Sequence, residues 1–403
     1  MQKKAPLTKS VVQPRPLSQY DEMFLEMVQG YGGFSNGHAH IDRAYTLPSE
    51  YLEDSGLTTW AAAVKPLVVK QKSVGYLHEG PAYKAEDLRP RMSKVIQHLV
   101  DCGTTHLDTC IDASLDFGSA EDKGQLAINV ANELKAKFAK EIVIRTGPMP
   151  IFGFKEGTGR WEAFEAAAHI SDFLVALAEK DTIGNVRKRD GRVGFRKHLQ
   201  MVLDLGCKLQ KEVHLHLDQA NDPNENGTET LVDGLRSIEG LKLFSQPQIP
   251  DQKDPTVWVV HMISPSAYDE VRFRRLIDAL LEFNIGVIVC PSAGISMRQP
   301  RPVVAPEHNS IARMLELCAM RVPIRIGTDN ICDMFVPQCG GDMLYEAIFG
   351  GHALRFAMPR VWAKLACGIQ LNDVDRDEII ESLTRDNEVF RTIDPNWKSA
   401  ILL

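Results

Sequence analysis

The stretch Phe-Ser-Asn-Gly-His-Ala-His-Ile-Asp at residues 34–42 decides the fold of this chain. It lies in a strand-like run, residues 33–41, and side chains along a strand alternate between its two faces. His38 and His40 therefore point to the same face, which in a closed barrel can be the interior. A His-x-His pair alone is more often a surface or core accident, so its meaning depends on the rest of the chain.

Short apolar runs and longer amphipathic runs alternate along the chain. The eight strand-like runs are residues 33–41, 105–111, 141–146, 182–186, 212–217, 257–263, 286–290 and 323–327. Helical patterns lie between them, for example at residues 89–102, 123–140, 164–179, 193–208 and 269–283. This alternation is typical of βα units around parallel strands. The sequence therefore predicts an α/β fold, a distorted (β/α)8 TIM barrel, rather than two domains.

We expect the barrel to occupy residues 34–360. Residues 1–33 are expected to form an N-terminal arm with a short helix at residues 20–29. Residues 361–403 are expected to form a C-terminal helical segment packed on the barrel.

Composition narrows the class of protein. With 403 residues, 44% of them hydrophobic, the chain can bury a large core, and its net charge of −7 argues against nucleic acid as a partner. No run approaches the roughly 20 apolar residues that a membrane span needs. The eight cysteines are scattered without a Cys-x-x-Cys pair, as in a reducing compartment. We expect a cytoplasmic enzyme that acts on a small molecule, and a homo-oligomer is compatible with the sequence.

Further polar residues stand where predicted strands end. His216 ends the fifth run, His261 lies near the end of the sixth, and Asp329 follows the eighth. Barrel enzymes keep their active sites at this face. Three imidazoles and one carboxylate suit Zn²⁺ or Fe²⁺ and leave a coordination position for water.

Four motifs resemble the amidohydrolases, and most closely their cytosine deaminase branch. Residues 37–42 (Gly-His-Ala-His-Ile-Asp) resemble the opening His-x-His-x-Asp motif, and residues 215–218 (Leu-His-Leu-Asp) the fifth-strand motif. Residues 260–264 (Val-His-Met-Ile-Ser) are similar to the sixth-strand motif, and residues 327–330 (Gly-Thr-Asp-Asn), with Asp333, to the eighth. The likeness runs in one order from residue 34 to about residue 360.

The resemblance implies roles for individual residues. It makes His38, His40, His216 and Asp329 the ligands of one divalent metal ion, Zn²⁺ or Fe²⁺. It places His261 beside the metal-bound water and the developing oxyanion, so that His261 and Asp329 are the catalytic candidates. Asp42 and Asp218 are expected to orient the metal ligands without binding the metal themselves, Asp42 by accepting hydrogen bonds from the first-strand histidines.

The chain departs from that branch at two positions. Gln219 stands where the branch has a glutamate that shuttles protons, and an amide cannot exchange a proton near neutral pH. Ile151 stands where the branch has a glutamine that reads the pyrimidine amide. Both changes make cytosine itself a poor expected substrate.

Six residues are expected to line the substrate pocket: Arg43, Ile151, Phe152, Gln219, Asn330 and Asp333. Arg43 could equally form a surface salt bridge. Relatives with two metals use a carboxylated lysine at the end of the fourth strand, and Lys188 lies near that place. Its neighbours Arg187 and Arg189 suggest a solvated loop, so one metal is favoured. The β-sandwich usual in the family is expected to be absent or vestigial.

These features predict a hydrolase that uses metal-activated water to cleave a C–N bond by deamination, dealkylamination or ring opening. The expected substrate is a small cyclic amidine, amide or amino-substituted N-heterocycle. One alternative is a cytosine or purine-type nucleobase deaminase whose proton shuttle has relocated. Another is a metal-containing binding protein without catalytic activity, and in a third the histidines are structural.

Overall fold

A computed structural model describes residues 16–115, 124–182, 191–220, 222–245, 254–296 and 311–402. Its strands are β1 (Phe34–Ala39), β2 (Thr104–Asp112), β3 (Val143–Met149), β4 (Leu174–Ala176), β5 (Val213–Leu217), β6 (Val257–His261), β7 (Ile285–Val289) and β8 (Ile324–Ile326). Its helices are α1 (Gln19–Gly30), α2 (Thr59–Ala63), α3 (Leu67–Glu79), α4 (Ala85–Asp101), α5 (Leu126–Lys137), α6 (Arg160–His169), α7 (Phe195–Leu209), α8 (Gly227–Ser237), α9 (Glu239–Ser245), α10 (Glu270–Glu282), α11 (Pro291–Ser296), α12 (Met314–Ala319), α13 (Met343–Leu354), α14 (Pro359–Ala366) and α15 (Asp373–Ile393).

The strands pair in parallel in two groups, β1-β2-β3 and β4-β5-β6-β7-β8. Backbone hydrogen bonds join the groups at both seams. At one seam Asp329 N–H donates to His38 O (2.9 Å) and His40 N–H donates to Asp329 O (3.2 Å). At the other, Asp172 N–H donates to Thr146 O (2.8 Å). The predicted (β/α)8 barrel is confirmed, and its three-residue strands β4 and β8 make it distorted.

The predicted position of the fourth strand was wrong. Residues 174–176 form β4, whereas the helical pattern was extended over residues 164–179 and the strand was expected at residues 182–186. The apolar run at residues 173–178 is short and fully buried, and such a run cannot be told from a buried helix by periodicity. Residues 183–186 lie outside the described part of the chain.

Ion pairs fill the barrel interior below the strand ends. Arg145 donates to Asp108 (3.0 Å) and to Glu212 (2.7 Å), while Arg325 donates to Glu212 (2.7 Å). His214 Nε2 lies 2.9 Å from Glu212 Oε1. The two guanidinium groups already balance both carboxylates, so this layer is structural rather than a second cation site.

The two ends of the described chain pack on the barrel as helices. The α1 helix begins at Ser18, which forms a capping box with Asp21, and it packs against α14. The α15 helix begins with a second capping box, between Asn372 and Asp375, and packs against α12. Every strand of the described residues belongs to the barrel, so no flanking sandwich is present among them.

Candidate metal centre and active site

The four predicted metal ligands meet at the carboxyl ends of three strands. His216 Nε2 lies 3.1 Å from His38 Nε2. Asp329 Oδ1 lies 3.2 Å from His40 Nε2 and 3.6 Å from His38 Nε2. All four side chains are buried. His38 thus belongs to two groups of possible ligand atoms, one with His40 and His216 and one with His261 and Asp329, and within each group the atoms lie within 4.8 Å of one another.

This donor set fits a divalent cation. Atoms about 2.1 Å from a common zinc ion lie about 3.0–3.4 Å from one another. The His38–His216 separation of 3.1 Å and the His40–Asp329 separation of 3.2 Å fall in this range, and the His38–Asp329 separation of 3.6 Å is slightly longer. The Nδ1 atoms of His40 and His216 are buried without a hydrogen-bond partner among the described residues. A cation held by the Nε2 atoms would relieve the repulsion between nitrogen lone pairs directed at each other.

Burial keeps these groups in the ionisation states that bind metals. Burial lowers the pKa of His40 to about 3, aided by the charge of Arg43, and it also lowers the pKa of His216 well below its usual range. Burial opposes ionisation of Asp329. Hydrogen bonds from His38 and His40 outweigh it and hold the pKa of Asp329 well below its ordinary value. Neutral imidazoles and an ionised carboxylate are the forms that bind metals.

His261 lies next to His38, His216 and Asp329. Its ring centroid is 5.3 Å from that of His216 and 5.9 Å from that of His38. One ring nitrogen of His261, one of His38 and a carboxylate oxygen of Asp329 all lie within 4.8 Å of one another. Burial lowers the pKa of His261 to about 4. A neutral imidazole therefore faces the space next to the candidate metal position.

Left-handed backbone is concentrated around this site. Asp218 (φ 57°), His261 (φ 78°), Met262 (φ 47°) and Asp329 (φ 59°) all have positive φ values, although none is glycine. The carbonyl of Asp218 holds the loop after β6 by accepting hydrogen bonds from the N–H groups of residues 263 and 264. Such conformations are strained in L-residues and tend to occur at functional sites.

Asp42 and Arg43 belong to a buried polar cluster beside the ligands. Arg43 Nη1 donates to Asp112 Oδ2 (3.1 Å), so its guanidinium is already paired. Asp42 Oδ2 accepts hydrogen bonds from the Tyr83 hydroxyl (2.7 Å) and from the Asp112 backbone N–H (2.8 Å). Its Oδ1 has no hydrogen-bond partner among the described residues, so the expected bond from Asp42 to the histidine rings is not formed there. His78 completes the cluster with a 2.9 Å contact to Asp112.

Two other predicted residues hold the loop after β8. Asn330 Nδ2 donates to Asp333 Oδ2 (2.6 Å), and Asp333 Oδ1 accepts from the backbone N–H groups of Phe335 (2.8 Å) and Val336 (3.1 Å). These contacts fix the loop that follows Asp329. Asp218 acts similarly after β5, where its carboxylate accepts from the N–H of residue 227 (2.7 Å).

The loop after β3 presents an apolar wall. Ile151 is buried, and the ring of Phe152 packs edge-on to His78 with centroids 5.3 Å apart. The structure thus places Phe152 beside α3 and places no polar group at position 151.

Gln219 brings an unpredicted glutamate to the site. Its side chain is buried, and its Nε2 donates to Glu179 Oε2 at 2.9 Å. Glu179 lies in a short 3₁₀ turn, Ala178–Asp181, that follows β4. Sequence reasoning missed Glu179 because the fourth strand was placed too late. For the same reason Lys188, which lies outside the described residues, was assigned to the end of the wrong segment.

Helix α3 covers one side of the barrel mouth. Lys70 Nζ donates to Phe335 O (2.7 Å) in the loop after β8, and His78 reaches Asp112 at the end of β2. Lys180, after β4, donates to Gln71 O (2.9 Å). One helix is therefore tied to the loops of three strands.

Comparison with known proteins supports the fold. No family model matches the chain. It is 24% identical over 286 residues to an uncharacterised protein of Haemophilus influenzae, covering 70% of this chain and 88% of that one.

No helix among the described residues is long and apolar enough to cross a membrane.

Solved structures that are similar to this chain include two enzymes that act on N-heterocycles or related compounds. One is 5-methylcytosine deaminase from Klebsiella pneumoniae liganded with 5-fluorocytosine, with a TM-score of 0.65 and 19% identity over 87% of this chain and 82% of that one. The other is N-isopropylammelide isopropylaminohydrolase from Burkholderia multivorans, with a TM-score of 0.55 and 14% identity over the same 87% and 82%. At these identities the likeness shows the shared fold.

Proposed function

We propose that the chain is an amidohydrolase of the cytosine deaminase-like branch that hydrolyses a C–N bond of a small N-heterocycle, cyclic amide or cyclic amidine. The observation that carries this proposal is the convergence of His38, His40, His216 and Asp329 on one buried point. The similar structures support it, since they include a deaminase and an aminohydrolase.

These four residues would hold one divalent metal ion, Zn²⁺ or Fe²⁺. Bound there, the metal supplies a Lewis acid that brings the pKa of a water molecule to about 7. The Asp329 carboxylate orients that water and accepts one of its protons. The His261 side chain stabilises the charge that develops on the attacked group.

The remaining pocket argues for a substrate other than cytosine. Arg43 is occupied by Asp112, and Ile151 offers no hydrogen bond. Gln219 is occupied by Glu179. The ring of the substrate would pack against the apolar wall formed by Ile151 and Phe152.

The test is a screen of purified protein loaded with Zn²⁺ or Fe²⁺ against amino-substituted pyrimidines, purines and triazines and against cyclic amides and amidines. Release of ammonia or an amine is measured, and mass spectrometry detects ring opening. We expect metal-dependent turnover, with metal content and activity lost together in His216→Ala. Full activity of metal-free protein would contradict the mechanism. Bound metal without turnover of any compound would instead favour a binding protein, and preferred turnover of cytosine or guanine a nucleobase deaminase.

A further inference from the structure

The side-chain amide of Gln219, which follows β5, holds the carboxyl group of Glu179, which follows β4. Gln219, three residues beyond His216, donates its side-chain Nε2 to Glu179 Oε2 at 2.9 Å. The Gln219 backbone N–H also hydrogen-bonds the Glu179 carboxyl. Glu179 is partly exposed at the mouth of the barrel. Its carboxyl group is therefore held by one residue of the neighbouring strand's loop.

The backbone that carries Glu179 is rigidly held on both sides. Before it, Leu177 N–H donates to His198 Nε2 (3.2 Å). After it, Asp181 Oδ2 accepts from Phe154 N–H (2.9 Å) and lies 2.7 Å from His198 Nδ1. His198 and Asp181 are both fully buried. The turn therefore presents Glu179 in a fixed position, as acid–base catalysis requires.

The surroundings of Glu179 favour its protonated form. Burial raises the pKa of Glu179 well above its usual range, and the negative charges of Glu225 and Asp218 raise it further. The cations next to it in sequence or space are directed elsewhere, since Lys180 Nζ donates to Gln71 O and Arg192 Nη1 donates to Lys180 O. The hydrogen bonds from Gln219 oppose the shift without cancelling it.

We propose that Glu179 is the general acid that protonates the departing nitrogen, with Gln219 as its positioning residue. This inference rests on the proposed function. Asp329 accepts one proton from the attacking water as the new C–O bond forms, and the second water proton stays on the product oxygen. Glu179 gives its own proton to the nitrogen as the C–N bond breaks. Asp329 then releases its proton to solvent, and Glu179 takes one up, so each turnover is balanced.

This assignment explains why an amide can stand at position 219. An amide cannot donate a proton to a leaving group near neutral pH, but it can hold a carboxylic acid through an N–H donor.

The experiment compares Glu179→Gln with the wild-type holoenzyme on the heterocycle that the wild type hydrolyses fastest in the screen. We expect kcat to fall on the order of 10²–10⁴-fold, with KM and metal content nearly unchanged. The wild-type rate should decline at alkaline pH as Glu179 ionises, and this limb should disappear in Glu179→Gln. An unchanged kcat, or a rise in KM alone, would overturn the role as general acid.

A second measurement needs no substrate. The infrared difference spectrum between the wild type and Glu179→Gln, both labelled with ¹³C-glutamate and with Zn²⁺ bound, should contain one protonated carboxyl band near neutral pH that belongs to the wild type alone. Absence of that band in the wild type would also overturn the inference. The matched control is Glu156→Gln, because the Glu156 side chain is 72% exposed and should affect neither readout.

The two proposals fail in different ways. Wild-type protein that neither binds metal nor hydrolyses any compound contradicts the proposed function. Wild-type protein that does both, while Glu179→Gln retains full kcat, contradicts only the assignment of Glu179.

Discussion

Asp329 combines a backbone role with a side-chain role. Its N–H and C=O groups bond to His38 and His40 and join the last strand to the first, while its carboxylate meets the rings of the same two histidines. The positive φ of Asp329 (59°) suits aspartate and asparagine better than other non-glycine residues. The backbone geometry that closes the barrel and the geometry of the ligand set are therefore fixed by one residue.

Asp329→Asn should separate these two roles. Asparagine tolerates the same backbone conformation, so far-ultraviolet circular dichroism should match that of the wild type. The loss of the anionic ligand and base should reduce turnover on the order of 10²–10⁴-fold and weaken Zn²⁺ binding. Elemental analysis and the release assay measure both effects. Wild-type activity in this variant would remove Asp329 from the proposed chemistry.

Arg43 should contribute to stability through its buried ion pair with Asp112. Both side chains are almost fully buried, at 3% and 0% exposure, so Arg43→Met removes the guanidinium charge that balances the buried Asp112 carboxylate. We expect a loss of about 3–5 kcal/mol in the free energy of unfolding, measured with urea. Arg89→Met is the control, since Arg89 and Glu133 form an exposed pair whose loss should change stability little. Equal effects of both substitutions would contradict this interpretation.

Helix α13 is joined to helix α11, which follows β7, through one buried carboxyl group, that of Glu346. Glu346 of α13 is fully buried and accepts a hydrogen bond from Ser292 N–H (3.0 Å) at the start of α11. Burial raises the pKa of Glu346 from 4.5 to about 7. The two helices are therefore joined through a carboxyl group that is largely protonated in mildly acidic solution.

This raised pKa predicts a pH dependence of stability. The folded state binds the Glu346 proton more tightly than the unfolded state, so its contribution is complete below pH 4.5 and is lost as pH rises through about 7. Between about pH 5 and about pH 8 the wild type should lose about 2–3 kcal/mol relative to Glu346→Gln. Urea unfolding at both pH values measures the difference. Glu133→Gln, at an exposed position, should follow the wild type. Parallel pH profiles for wild type and Glu346→Gln would contradict the prediction.

Among the strands, the sequence predicts some positions correctly and one wrongly. Strands β5 and β6 were located correctly because each is a short apolar run with a histidine at or next to its last residue. The short strand β4 was not, because only four residues separate it from α6 and its three residues show no periodicity of their own. The misplacement of β4 also hid Glu179. The ion pair between Asp112 and Arg43 joins residues that are far apart in the sequence, so only the three-dimensional contacts reveal it.

At the scale of the whole molecule, the barrel contains two polar layers of different character. The lower layer pairs Arg145 and Arg325 with Asp108 and Glu212 and is balanced in charge. The upper layer holds three histidine rings and Asp329, whose nitrogen and oxygen atoms converge. The lower layer is balanced within the chain, whereas the upper layer would gain stability from the proposed cation.

Metal binding should therefore stabilise the whole barrel. At a free Zn²⁺ concentration of about 100 times Kd, the expected gain is about 2.7 kcal/mol, which should raise the Tm by a few degrees. Differential scanning calorimetry of chelator-treated protein with and without Zn²⁺ measures this shift. His216→Ala should show a much smaller shift, and an equal response in that variant would place the cation elsewhere.

The hydrogen bonds between His38 and Asp329 also bear on how the protein matures. The ligands are separated by nearly the full length of the barrel sequence, and the last of them leaves the ribosome only after the eighth strand has been made. A nascent chain with fewer strands has no complete coordination set to fill. The proposed cation would therefore be acquired only once the eighth strand has been made, and the local supply of ions, more than intrinsic affinity, would then decide which metal is incorporated.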